Sequence, residues 1–490
     1  MAASDRKRNY VWNGLGGSVA VLSNVILFPI AMMAMTPGVY GVWLLCFVST
    51  TLLVQADLGL GSAIVRQLSS LRLGTSTSVY ESANRVSFSI FIFLALLLPL
   101  VQYAFLSLFF ELTDAGGEAK SFIEMFIIVN AVALCLGVLG RYFVSLLQSH
   151  GRFEYERQAA VVGFVVRALF VVGAWTTSGS IWFVVAGEVI GAVLPGIACA
   201  VIAARQRRMS KGMARRRDFA AAGRLIFRFS LPVFASSFAT MMALQLPVYF
   251  VGGVLGSSQT VVFVAATKIY QTGRMTLGWI TGPALQEATG LFVANRVKEY
   301  RLLYDKVVLL GVTLSMMLVA PLVISSEWVI SVWLGSSYET YASAFSIIVL
   351  AQLLLSIYGP GVVFSAAAGR PGIVAGLNVA WCVFTLALAY PLTVLFGLQG
   401  SVSAVVLPIL ILFPFYLNLT NRAAGVSLRR TLVSVIVICT GPIVGGLIGF
   451  SFTTLVADNV LVSLIIVTVA SSVTCVGLCR LLWGRVMKEA

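Results

Sequence analysis

Long apolar stretches separated by short polar linkers make up almost the whole of this 490-residue chain. Fourteen stretches recur, near 11–34, 39–62, 86–110, 121–148, 156–177, 180–204, 226–252, 259–290, 303–325, 342–367, 372–396, 398–420, 432–454 and 459–482. At 1.5 Å per residue, about 20 apolar residues span the hydrocarbon core of a bilayer, and each stretch is about that long or longer. The pattern predicts an all-α, polytopic membrane protein with about 14 transmembrane helices. The first stretch follows Arg6, Lys7 and Arg8, as a signal peptide would. At Val11–Ala34 it is too long for a signal sequence and lacks a small-residue cleavage site, so it is read as the first membrane helix.

Charge then orients the helices. Of 33 Lys and Arg, 28 lie in or beside every second linker, and one, Lys120, lies in the intervening linkers. Basic residues are retained on the cytoplasmic side. The intervening linkers are acidic by contrast, with Glu111, Asp114, Glu118, Glu327, Glu339 and Asp458. An even number of crossings places both termini in the cytoplasm, as the terminal Arg485 and Lys488 also require. A mean hydropathy of +0.98 with only 10% charged residues excludes a soluble or a disordered chain. The pI near 9.7 points to the membrane surface rather than to nucleic acid, because no nucleic-acid-binding motif accompanies the basic linkers. The seven Cys lie inside apolar stretches and read as free buried thiols, with no metal site expected.

Nine basic residues, from Arg205 to Arg228, fill the longest basic linker, after six helices. This seam predicts an N-terminal six-helix bundle over 1–204 and a cytoplasmic linker over 205–228. A second six-helix bundle follows over 229–422, and helices 13 and 14 over 423–490. The bundles carry a faint repeat: Pro29 and the turn at 35–38 recur as Pro247 and the turn at 256–259, an offset close to 218 residues. Such a repeat predicts two bundles related by a pseudo-two-fold axis, a common transporter design with its substrate site between the halves.

Two segments carry a family resemblance. Pro37-Gly38-Val39-Tyr40-Gly41-Val42-Trp43 is followed by Asp57-Leu58-Gly59-Leu60-Gly61-Ser62-Ala63 and Arg66. Arg141-Tyr142 is followed by Leu147-Gln148-Ser149-His150-Gly151-Arg152-Phe153 and then Arg167. Both segments resemble bacterial polysaccharide (O-antigen type) flippases of the multidrug/oligosaccharidyl-lipid/polysaccharide exporter superfamily. The resemblance implies a flippase rather than an enzyme. It would move a polyprenyl-(pyro)phosphate-linked oligosaccharide to the outer leaflet of the bacterial inner membrane by alternating access. Its partners would be the bilayer, the lipid-linked substrate, and a glycan polymerase or glycosyltransferases of the same pathway. The alternative is a multidrug or small-molecule antiporter of the same superfamily. Helix 1, with Asn13, Ser18, Ser23 and Asn24 but no charge, departs from both the lipid II and the drug-exporting branches.

Four cations, Arg141, Arg167, Lys268 and Arg274, lie inside the stretches themselves. A charge at the bilayer centre costs about 2.5–3.5 kcal/mol, so such residues face a hydrated path or a partner rather than lipid. Lys268, Gln271 and Arg274 fall within one arc of helix 8, where Lys acts as a point charge and Arg as a bidentate donor for an anionic head. Internal pairing is the structural alternative. Arg167 and Glu188 lie at matching depth in helices 5 and 6, so a buried ion pair competes with substrate binding there. Arg141 is shallow enough to reach the cytoplasmic interface instead. Asp57 and Glu188 are the carboxylates available for coupling to H+ or Na+, or for structural ion pairs, and no organic cofactor is expected. Gly282-Pro283, within the unusually long helix 8, is the expected hinge.

Overall fold

A computed structural model describes residues 19, 23, 25–55, 61, 64–65, 68, 77–150, 152–176, 181–206, 224–425, 428–456 and 460–488. Throughout these residues the chain is helical, with short 3-10 turns at Asp114–Phe122 and Ser336–Tyr341. Helix α1 covers 25–33, followed by α2 (Pro37–Gln55), α3 (Thr77–Leu112), α4 (Ile123–Ser149), α5 (Phe153–Thr176) and α6 (Ile181–Arg205). Helix α7 comes in two segments, Arg224–Gln245 and Pro247–Leu255, and is followed by α8 (Ser257–Val293) and α9 (Val297–Ile324). After the short helix Ser326–Leu334 come α10 (Ala342–Ala367), the continuous run Pro371–Ala424, α13 (Leu428–Val456) and α14 (Val460–Lys488). Gly397 turns that run with a φ of 58°, separating α11 (371–396) from α12 (398–424), at the break the apolar pattern predicts.

This is a multi-span membrane fold. Ten stretches among the described residues are long and apolar enough to cross a bilayer, and one of them, Gly372–Arg422, contains the α11–α12 turn. Helix α8, rich in Thr, Gln and Gly besides its two cations, is not among those ten, and α13 has a shorter apolar portion, Ile438–Thr453. The half of the first predicted stretch that precedes α1 lies largely outside the described residues. Exposed side chains fit a lipid solvent: Phe93, Leu96, Leu100, Leu108 and Leu112 form one outward stripe on α3 at helical spacing. In each unit the helix ends that carry the Arg/Lys linkers are its basic side.

The chain divides into two compact units, Met1–Val261 and Val262–Ala490, with the boundary inside α8. The predicted seam over 205–228 lies largely outside the described residues. In the first unit α3, α4 and α6 share an apolar core that includes Phe91, Leu134, Tyr142 and Cys199. Polar bonds tie α2 into it: Gln102 Nε2 donates to Ser49 Oγ at 2.7 Å and to Thr50 Oγ1 at 2.8 Å, and Thr50 donates to Asn130 Oδ1 at 2.8 Å. The second segment of α7 joins this unit, its Tyr249 hydroxyl donating to the Leu45 carbonyl at 2.9 Å. In the second unit α9 is central. It packs on α8, α10 and α12 and on the α13–α14 pair, where Cys475 Sγ contacts the Thr313 carbonyl at 3.4 Å. Helices 13 and 14 are therefore built into the second unit's core.

Pro29, Pro232, Pro247, Pro283 and Pro360 all lie inside the stretches predicted as helices, and of these Pro247 alone coincides with a break among the described residues. It follows the turn at Leu246 and takes the first helical position of a new segment, where its missing N–H costs nothing. Pro283 and Pro360 lie inside continuous helices.

Candidate functional site

In the first unit, helices α5 and α6 hold the Arg167–Glu188 neighbourhood. They approach closely because glycines line the seam. A Cβ at Gly163 would lie 2.9 Å from the Gly191 carbonyl oxygen, so no larger residue fits without moving a helix. Within that seam Arg167 Nη2 donates to Glu188 Oε1 at 2.6 Å, and both residues are 6% exposed. Tyr40 of α2, also buried, lies within electrostatic reach of both charges. Arg167 thus has the internal partner that its depth allowed, and the pair clamps α5 to α6.

In the second unit, Lys268, Gln271 and Arg274 are all half-buried on α8. Arg274 stands near the middle of the 37-residue helix. Among the described residues no carboxylate lies within ion-pair distance of it; its neighbours are the neutral phenols of Tyr270, Tyr358 and Tyr416. Tyr358 and Tyr416 stack with ring centroids 4.5 Å apart, and the Tyr416 hydroxyl donates to Asn378 Oδ1 at 2.6 Å. Three helices, α8, α10 and α12, therefore build the surroundings of one cation. Gly273 lets α10 close in: a Cβ there would fall 2.5 Å from Gln352 Cδ.

Two buried polar atoms at this place have no hydrogen-bond partner among the described residues, the Tyr270 hydroxyl and Gln352 Oε1. An unsatisfied buried polar atom costs about 1–3 kcal/mol, a cost that a bound water or ligand at this place would remove. Sequence reasoning found the α8 cations and missed the tyrosines, Asn378 and Gln352. The phenols lie in three separate apolar helices, where each reads as an ordinary core aromatic.

The remaining predicted residues are dispersed. Arg141 is half-buried on α4, and its neighbour Tyr142 is fully buried, donating to Asn84 Oδ1 at 2.7 Å. Asp57 and Arg66 lie outside the described residues. Gly282 and Pro283 are exposed on the α8 surface, and the helix runs through them unbroken. His150 caps α4 structurally, its Nδ1 lying 2.8 Å from the Leu146 carbonyl.

Comparison with known proteins places this architecture. A family described as "Polysaccharide biosynthesis protein" matches residues 7–289. No curated protein sequence matches. Among solved structures, the lipid II flippase MurJ in an inward closed conformation superposes with a TM-score of 0.65 at 14% identity, covering 95% of this chain and 97% of that one. A MOP superfamily transporter from Pyrococcus furiosus, described by the reverse polarity of its binding pocket, gives 0.63 at 14% identity, with 86% and 95% covered. An outward-facing multidrug resistance MATE family transporter of the same superfamily gives 0.62 at 16% identity, with 86% and 95% covered. At these identities the likeness is one of fold.

Proposed function

The chain belongs to the polysaccharide biosynthesis protein family, and from that premise we propose that it is a flippase for a polyprenyl-(pyro)phosphate-linked oligosaccharide. Its basic side faces the cytoplasm of a bacterial cell, both termini lie there, and the substrate head moves from the inner to the outer leaflet of the inner membrane. Access alternates between the two sides, with bending of α8 at Gly282-Pro283. The problem such a protein solves is electrostatic. A phosphate head and a hydrated glycan cannot cross hydrocarbon unaided, whereas the lipid tail never has to leave it.

The observation that carries this reading is Arg274. It is a half-buried cation at mid-helix, with the phenols of Tyr270, Tyr358 and Tyr416 within its electrostatic reach and no carboxylate within ion-pair distance among the described residues. Phenols support a guanidinium without cancelling its charge, so the charge stays available to an anion. Lys268 and Gln271 on the same arc of α8 extend the binding face. Arg274 acts as a forked donor to phosphate oxygens and Lys268 as a point charge. The unpartnered Tyr270 hydroxyl, one helical turn before Arg274 on α8, and Gln352 Oε1 of α10, packed against Gly273, supply further polar groups. A cationic drug would prefer the opposite polarity, which disfavours the antiporter reading. Glu188, a carboxylate through which H+ or Na+ would couple, is already held by Arg167.

The test is reconstitution in vesicles with a fluorescent polyprenyl-diphosphate oligosaccharide and measurement of its appearance in the opposite leaflet. The Lys268→Ala/Arg274→Ala variant is expected to lose transport while retaining its helical content. Transport at the unmodified rate would overturn the proposal.

A further inference from the structure

A second concentration of positive charge lies at the basic end of the second unit, away from the cations of α8. Three separate turns converge there on a cavity of about 560 Å³. Arg296 and Arg301 come from the α8–α9 turn and the first turns of α9, Arg370 from the α10–α11 turn, and Arg422 from the last turn of α12. The lining contains no Asp or Glu. Arg296 bonds Glu299 outside the lining, Nε to Oε1 at 2.8 Å, and no ion pair to the other three arginines is found among the described residues.

Orientation of a membrane helix requires basic residues near its end but does not require them to share a pocket. Three of the four guanidinium groups share this lining without an ion-pair partner among the described residues; their mutual repulsion, softened by solvent because all are exposed, is offset by an entering anion. Each guanidinium offers a planar fork that matches two phosphate oxygens. The volume falls in the range of small-molecule sites, roughly 300–1,000 Å³, and exceeds what one phosphate needs. The cavity is also remote from Arg274. Nineteen residues of α8 separate that side chain from Val293, about 30 Å along the helix.

We propose that this cavity binds a group carrying two phosphates, supplied either by the head of a membrane lipid with two phosphates, such as cardiolipin, or by soluble pyrophosphate. The proposal stands apart from the transport reading, because binding is measured with no transport step. Full-length protein is placed in nanodiscs of phosphatidylcholine alone, in the same discs with cardiolipin added, or in phosphatidylcholine discs titrated with inorganic pyrophosphate. Bound lipid is read by native mass spectrometry and pyrophosphate by calorimetry. The Arg370→Gln/Arg422→Gln variant is expected to weaken binding at least about tenfold. The equally charged control Arg205→Gln/Lys298→Gln, which alters exposed residues outside the cavity, should change it less than about twofold. Arg301→Gln provides an independent variant should the double change lower expression. Retention of cardiolipin without pyrophosphate binding assigns the lipid source, and pyrophosphate binding assigns the soluble one. Binding of neither ligand, or equal loss in the control, overturns the proposal.

Discussion

Arg167 and Arg274 began as equivalent signals, cations in the middle of apolar helices, and the fold treats them differently. Arg167 is 6% exposed and bonded at 2.6 Å to Glu188, in a seam narrowed by Gly163 and Gly191. Arg274 is half-buried among phenols, with no carboxylate partner among the described residues. A buried pair has spent its charge on its partner, and what remains is a clamp between helices. An uncompensated cation still attracts anions. Depth in the membrane therefore does not separate structural from functional charge; the partner does.

The sharpest way to break this contrast is to remove one member of the pair. Arg167→Leu leaves a buried carboxylate alone, and the expected loss of stability is about 3–5 kcal/mol, read as a fall in Tm of the purified protein. Replacing both members, Arg167→Leu/Glu188→Leu, should recover most of that loss, since well-packed apolar residues often replace a buried pair at little net cost. Transport by the double variant should then approach the unmodified rate. A stable double variant with no transport would move Arg167 into the substrate path.

The corresponding change in the second unit should have the opposite signature. Arg274→Gln keeps a polar side chain and removes only the charge. Losing a charge-assisted hydrogen bond costs about 1.5–3 kcal/mol, so transport should fall roughly 10- to 150-fold. Tm should hardly move, because no carboxylate loses a partner. Arg274→Lys, which keeps the charge and loses the fork, should fall between the two. A large drop in Tm for Arg274→Gln would show a structural role and erase the contrast.

The helices themselves were legible in the sequence because spanning a bilayer imposes length and hydropathy on each segment separately. Even the one-residue break at Gly397 showed as the gap between 396 and 398. The Arg167–Glu188 pair was legible for a related reason: two adjacent antiparallel helices place residues at matching depth opposite one another. The Tyr270–Tyr358–Tyr416 surroundings of Arg274 were not. They depend on how α8, α10 and α12 face one another, and a tyrosine in an apolar run carries no mark of its neighbour. The four-arginine cavity was hidden differently. Each of its residues was already accounted for by the orientation rule, and their convergence arises only when three turns meet.

The smallest expected effect concerns the proposed hinge, and it sharpens the comparison within a single helix. Gly278 and Gly282 are both exposed on α8, and at each an added Cβ would meet nothing within 4 Å. Alanine at either position should therefore stabilise the helix by about 0.5–1 kcal/mol, since glycine loses more conformational freedom on folding. The static structure gives no reason for the two to differ. They differ only if α8 bends at Gly282-Pro283 during transport, because stiffening the bend raises the barrier and stiffening one turn earlier does not. Gly282→Ala should thus raise Tm slightly yet slow flipping about two- to fivefold, which corresponds to roughly 0.4–1 kcal/mol. Gly278→Ala should raise Tm alone. Equal transport rates for the two variants would remove the hinge from this place and require the motion to be sought elsewhere on the chain.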